Sequence, residues 1–204
     1  MTNMDQSQTR ISCLGIATSP RVGGNTSILL DKALEGAAEA GAVTEKISLN
    51  NFSFRPCIAC DGCMAEGKCV VKDDMQLIYP KLLAADRIIL AAPIYSMGMC
   101  AQAKAMVDRT QRFWATKYVL KKPVIADKDR RPARRGIFLS AAGTNYKNVF
   151  DGVLRVAKYF FMMLEAEFAG SHCFHEIDAK GAVQNFPDVL NEAHSAGYNL
   201  IKAD

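Results

Sequence analysis

At 204 residues and 22.3 kDa, half of them hydrophobic and 23% charged, the chain is long enough to bury one substantial core and too short for two comfortable domains. The formal charge of +4 would suit a nucleic-acid partner, but seven basic residues between Lys121 and Arg135 face only Asp127 and Asp129, a net +5 that leaves −1 elsewhere. No aromatics are interleaved there for base stacking, and no run reaches the roughly 18 apolar residues of a spanning helix, so neither nucleic acid nor membrane is an expected partner.

Met1 to Arg10 is polar and reads as a flexible N-terminus, not as a cleavable signal. One domain is expected over residues 11–204. Seven cysteines without a secretory leader point to a reducing, cytoplasmic location and to redox or metal use. Cys13, Cys100 and Cys173 are scattered among apolar neighbours and read as core thiols.

Ile11 to Thr18 is short and almost wholly apolar, as a strand buried on both faces of a parallel sheet must be. It leads into Ser19-Pro20-Arg21-Val22-Gly23-Gly24-Asn25-Thr26-Ser27, and a helix follows whose Leu30, Ala33, Leu34, Ala37 and Gly41 fall at spacings of three and four. Asn25 is the expected N-cap. Unpaired first-turn amides from Gly24 onward and the positive end of the helix dipole would converge there, with hydroxyls from Ser19, Thr26 and Ser27 and a full charge from Arg21. That combination suits a phosphate monoester. The spacing matches neither Gly-x-x-x-x-Gly-Lys-Ser/Thr nor Gly-x-Gly-x-x-Gly.

Val43 to Leu49 is the second strand, closed by Asn50-Asn51. The connection from Phe52 to Asp73 is far longer than the usual two to six residues of an α/β unit, and such loops are commonly functional. It carries Cys57-x2-Cys60-x2-Cys63-x5-Cys69. Thiolates at steps of three, with a fourth close behind, can reach the corners of a [4Fe–4S] cluster. A four-thiolate zinc site, a disulfide pair or unligated thiols are the alternatives.

A helix capped by Asp73-Asp74 and kinked or restarted near Pro80 is expected next, then a strand from Arg87 to Ala92. Its carboxyl end is the turn Pro93-Ile94-Tyr95-Ser96-Met97-Gly98, where open parallel sheets place their ligands. A helix from Cys100 to Tyr118 carries Lys104 and Asp108-Arg109, which read as charges solvated or paired at an interface. The basic segment 121–135 reads as a mobile surface excursion. Strand 136–141 then ends in the small-residue turn Ala141-Ala142-Gly143-Thr144, followed by a helix over 146–164, a strand over 167–174 and a helix over 187–202. The alternation gives an α/β fold with helices on both faces of a five-stranded parallel sheet, order 2-1-3-4-5. Residues 19–27, 93–98 and 141–144 would meet at one sheet edge, around a phosphate, a flat ring and the ring's polar rim.

The loop Ser-x-Arg-x-x-Gly-Asn-Thr, the four cysteines followed by Asp73-Asp74-Met75, the Pro93-Ile94-Tyr95 turn and Lys104-x3-Asp108-Arg109 together resemble the iron–sulfur flavoprotein branch of the NADPH-dependent FMN reductase family. The resemblance runs from Ile11 to about Lys202 and implies a flavodoxin-like three-layer fold. It further implies one FMN per subunit, a [4Fe–4S] cluster on Cys57, Cys60, Cys63 and Cys69, and NAD(P)H as co-substrate. A homodimer or homotetramer and a small-molecule or protein electron partner, such as a quinone or ferredoxin, are implied as well. No His, Ser or Glu stands out as a catalytic group, as expected if the flavin carries the chemistry. The segment 121–135 departs from the family pattern, and no role is carried onto it.

Overall fold

The computed structural model describes residues 10–126 and 133–203; residues 1–9, where a flexible terminus is expected, and the centre of the basic segment, 127–132, lie outside the described residues. Strands β1 (Ser12–Ala17), β2 (Val43–Ser48), β3 (Arg87–Ala91), β6 (Arg135–Ala141) and β7 (Glu167–Phe174) form one parallel sheet in the order β2-β1-β3-β6-β7, the 2-1-3-4-5 arrangement expected. Helices α1 (Asn25–Glu39) and α6 (Pro187–Lys202) cover one face, and α2 (Met75–Ala84), α3 (Ala101–Asp108) and α5 (Asp151–Met163) the other. Along β3 the side chains divide accordingly. Ile88 and Leu90 join the α2/α3/α5 core, and Ile89 and Ala91 the α1/α6 core, because successive residues of a strand point to opposite faces.

The α1/α6 contact is unusually close because glycine faces backbone on both helices. A Cβ at Gly36 would lie 2.0 Å from the His194 carbonyl oxygen, and one at Gly197 only 1.8 Å from that of Ala33. Buried Ala33, Ala37, Ala193 and Ala196 continue the seam. Small residues thus set the position of α1, and with it the loop at its amino end.

Several expectations are corrected. Helix α2 continues past Pro80 and does not restart there. The long helix over 100–118 is instead α3, a turn at Arg109-Thr110, α4 (Gln111–Trp114) and a π-helical turn over Ala115–Val119. The helix after β6 begins at Asp151, not near 146. Pro93–Gly98 contains a hairpin, β4 (Ile94–Tyr95) paired antiparallel with β5 (Gly98–Met99), whose tip residues Ser96 and Met97 have φ of 49° and 62°. That is the backbone of a two-residue primed turn, a position usually given to Asn-Gly.

The basic segment is not wholly an excursion. Arg134 is buried, and its guanidinium donates to the carbonyls of Leu82, Ala85 and Leu164, joining the carboxyl ends of α2 and α5. Arg135 is already in β6, with Nε 2.9 Å from Glu167 Oε2. Arg87 is likewise buried, donating Nε to the Leu200 carbonyl at 2.9 Å and Nη1 to that of Ala133 at 2.7 Å. Cys13 and Cys100 are buried, and burial raises the Cys13 thiol to about 12 and the half-buried Cys173 to about 11, which keeps both as inert core thiols.

Candidate cofactor sites at the sheet edge and on the cysteine loop

At the carboxyl end of β1 the chain turns sharply. Gly24 N–H donates to the Arg21 carbonyl at 3.0 Å, and the amides of Ser27 and Ile28 donate back to the Gly24 carbonyl at 2.9 and 3.1 Å. Gly24, with extended backbone, occupies the cap position instead of Asn25. A side chain there would meet the Arg21 carbonyl oxygen at 3.0 Å and Ser19 Oγ at 3.3 Å. Among the described residues the N–H groups of Asn25 and Thr26 meet no acceptor, so the first turn of α1 is open to one.

The Asn25 amide is used differently from a cap. Its Nδ2 donates to the Ala179 carbonyl at 2.9 Å and its Oδ1 accepts from Val183 N–H at 3.2 Å, tying the loop to the segment after β7. Arg21 Nη1 reaches the Asp178 carbonyl at 3.3 Å, and Asn50 Nδ2 holds the Ser19 carbonyl at 2.8 Å.

A cavity of about 60 Å³ opens here, lined by Ser19, Arg21, Gly24, Asn25 and Thr26, by Pro93, Ile94 and Tyr95, by Ala141 and Gly143, and by Ile177 and Asp178. All three expected loops therefore contribute. Ser27 stands outside the lining, its hydroxyl accepting from Lys46 Nζ at 3.0 Å. Ser96 and Met97, the hairpin tip, and Gly98, which opens β5, are outside the lining. Ala142 lies in the backbone beneath it, its N–H donating to the Phe174 carbonyl at 2.9 Å, and Thr144 accepts from Tyr146 N–H at 3.3 Å. Ile177 and Asp178 are lining residues that sequence reasoning missed; Asp178 meets Arg21 and Asn25 through its carbonyl, which any residue could supply. The residues fit a phosphate: open amides, two buried hydroxyl residues in Ser19 and Thr26, and a cation at the rim.

The second site is the loop over 52–73. Its neck is closed by Ser53 N–H to Asp74 Oδ2 at 2.7 Å and Asp74 N–H to the Ser53 carbonyl at 3.2 Å. Cys57, Cys60, Cys63 and Cys69 all line one cavity of about 370 Å³, together with Arg109, Gln111 and Arg112. Ala59 and Asp61, on either side of Cys60, have φ of 51° and 55°. Residues held in that region cost on the order of 1 kcal/mol each and cluster at functional turns. Burial raises the Cys63 thiol, and the three neighbouring cysteines add to the rise, the cost of four sulfurs sharing one wall. Among the described residues no three His, Cys, Asp or Glu side chains converge closely enough to hold a single ion. The four thiols line a common space, whose charged lining is Asp61, Asp108, Arg109 and Arg112.

The loop is gripped by the break between α3 and α4, on the same face of the sheet. Arg109, read from the sequence as a surface charge, is 2% exposed, with Nη1 at 2.7 Å from Asp73 Oδ2 and Nη2 at 3.1 Å from Asp73 Oδ1. Arg112 Nε donates to the Gly67 carbonyl at 2.9 Å. Lys104 does behave as a surface residue, paired with Asp108 at 2.6 Å.

A model of the NADPH-dependent FMN reductase family matches residues 11–148, which includes the cysteine loop and all of the sheet-edge lining except Ile177 and Asp178. The chain belongs to this family. Its sequence relatives include several iron–sulfur flavoproteins. One from Methanocaldococcus jannaschii is 46% identical over 98 residues, 48% of this chain and 51% of the relative. That of Methanosarcina thermophila is 42% identical over 110 residues, 54% and 58%. The chain thus spans about half the length of the curated relatives it matches. In the fold, an NAD(P)H:quinone oxidoreductase from Methanothermobacter marburgensis superimposes with a TM-score of 0.64 at 17% identity, covering 94% of this chain and 97% of that one. A flavone reductase gives 0.70 at 21% identity over 95% of this chain and 62% of the other. These likenesses establish the flavodoxin-like fold of this FMN reductase family member.

One consequence concerns acid. Burial raises the Asp73 carboxyl, but hydrogen bonds from Arg109 and from Arg55 N–H outweigh it and hold the group below its ordinary value. A depressed carboxyl contributes stability that is complete above its unfolded value near 4 and lost as pH falls through the lower folded value. Asp73→Asn is expected to cost about 1–2 kcal/mol at pH 7. The gap to wild type should narrow below about pH 4, as urea unfolding at pH 7 and pH 3 will show.

Proposed function

We propose that the protein is an FMN-dependent oxidoreductase that takes electrons from NAD(P)H and passes them to a [4Fe–4S] cluster on the cysteine loop or to a small acceptor of the quinone type. The observation that carries this reading is the open first turn of α1, with Asn25 and Thr26 amides unpaired among the described residues above buried Ser19 and Thr26. Arg21, Ser19, Thr26 and the two amides would hold the FMN phosphate. Pro93, Ile94 and Tyr95 would flank the ring on one side, and Ala141 and Gly143 would supply its backbone rim. Bound FMN supplies two-electron exchange with a nicotinamide and release of electrons singly or in pairs. The chain contributes orientation and electrostatics in place of a general base.

Cys57, Cys60, Cys63 and Cys69 would hold the cluster, with Arg112 offsetting part of its charge. Support comes from the four thiols lining one cavity at a spacing that suits the corners of a cubane. Exposed Tyr118, Val119, Tyr159 and Met162 support a homodimer or homotetramer.

Arg21→Ala is expected to weaken FMN binding about tenfold, the loss of one charge-assisted contact worth about 1.4 kcal/mol. Fluorescence titration of the flavin-stripped protein measures it. Unchanged affinity would place the phosphate elsewhere. A second reading, an electron carrier serving ferredoxin without nicotinamide turnover, is favoured by exposed Cys60 and by Ile58, 63% exposed at the cavity rim. Stopped-flow reduction with NADPH, NADH and reduced ferredoxin separates the two.

A further inference from the structure

We infer that Arg109 is the positioning residue of the cysteine cavity: it fixes Cys69 as a hydrogen-bonded ligand and raises the reduction potential of an iron–sulfur cluster held there. The inference rests on the cluster-binding part of the function proposed above.

Arg109 stands at the carboxyl end of α3, where the helix breaks before α4, and its side chain is 1% exposed. Nη2 lies 3.3 Å from Cys69 Sγ and 3.1 Å from Asp73 Oδ1, while Nη1 lies 2.7 Å from Asp73 Oδ2 and 2.9 Å from the Arg55 carbonyl oxygen. One planar group therefore joins the chain before Cys57 to the chain after Cys69 and touches the last cysteine itself. Lysine, with three donors on a single nitrogen, cannot span those acceptors together.

The Nε atom is the one buried side-chain nitrogen or oxygen among the described residues without a hydrogen-bond partner. An unpaired buried N–H is costly, and this one belongs to a residue lining the cysteine cavity. It leaves a donor for an acceptor that the chain does not supply. Donors aimed at ligating sulfur favour the more negative, reduced state of an iron–sulfur centre, so their removal lowers its potential. A residue that only braced the loop would alter how well iron is retained. It would leave the potential of the retained centres unchanged.

The test uses the full chain, reconstituted anaerobically with iron and sulfide, as wild type, Arg109→Lys, Arg109→Gln and Asp73→Asn. Midpoint potential is followed by electron paramagnetic resonance, and iron loss by the rate of transfer to a ferrous chelator. The midpoint should fall in Arg109→Lys and further in Arg109→Gln, with iron lost about tenfold faster, while Asp73→Asn, which keeps the contact to Cys69, stays nearer to wild type. FMN content, set at the other site, should not change. If Arg109→Gln does not fold, Arg109→Lys and Asp73→Asn decide. Cluster-loaded variants with wild-type midpoints would overturn the inference alone. A wild type that takes up no iron would overturn the proposed cluster and this inference together.

Discussion

Gly197→Ala is expected to destabilise the protein by about 3 kcal/mol, although the substitution sits inside a helix. Helix propensity alone favours alanine over glycine by about 1 kcal/mol. The new Cβ would lie 1.8 Å from the carbonyl oxygen of Ala33 and 2.6 Å from its carbon, which are backbone atoms that no rotamer change can move aside. Helices α1 and α6 would have to separate, and the alanine seam of Ala33, Ala37, Ala193 and Ala196 would lose its packing along with them. Overpacking of this kind costs typically about 1–3 kcal/mol, occasionally more, before the lost contacts are counted. Since α1 carries the open amides of Asn25 and Thr26, weaker FMN retention should accompany the lower stability. Denaturant unfolding monitored by circular dichroism decides the sign; a gain near 1 kcal/mol would show that the helices part freely.

Arg134→Met, which retains much of the aliphatic stem, should cost about 3 kcal/mol because it leaves the carbonyls of Leu82, Ala85 and Leu164 without the guanidinium. Those groups lie at the carboxyl ends of α2 and α5, where a cation also opposes the helix dipole. Lys104→Ala is the contrast. It breaks only the exposed pair with Asp108, which is worth well under about 1 kcal/mol. Equal effects in thermal unfolding would mean that Arg134 acts as an ordinary surface residue.

The sheet is legible in the sequence because its inner strands are buried on both faces and read as short apolar runs bounded by turns. β7 and α6 fall at the expected residues, 167–174 and 187–202. Local rules fail where a distant partner takes over. Asn25 has the chemistry of a cap, yet its amide is drawn to 177–183, more than 150 positions away, while Gly24 takes the cap position. Arg109 and Arg134 look like surface charges because nothing near them in sequence reveals the carbonyls and carboxylate that bury them. The break after α3 has the same origin, placing Arg109 toward Asp73 and Cys69. The cysteine spacing is plain in the sequence, and the four thiols line one cavity. The parts of the cavities built from carbonyls, such as that of Asp178, leave no side-chain signature.

Analysis of one anaerobic preparation for flavin, iron and acid-labile sulfide tests the account most directly. Close to one FMN per chain, with about four irons and four sulfides, is the result predicted. Protein that is colourless as isolated and takes up neither added FMN nor iron and sulfide would contradict it.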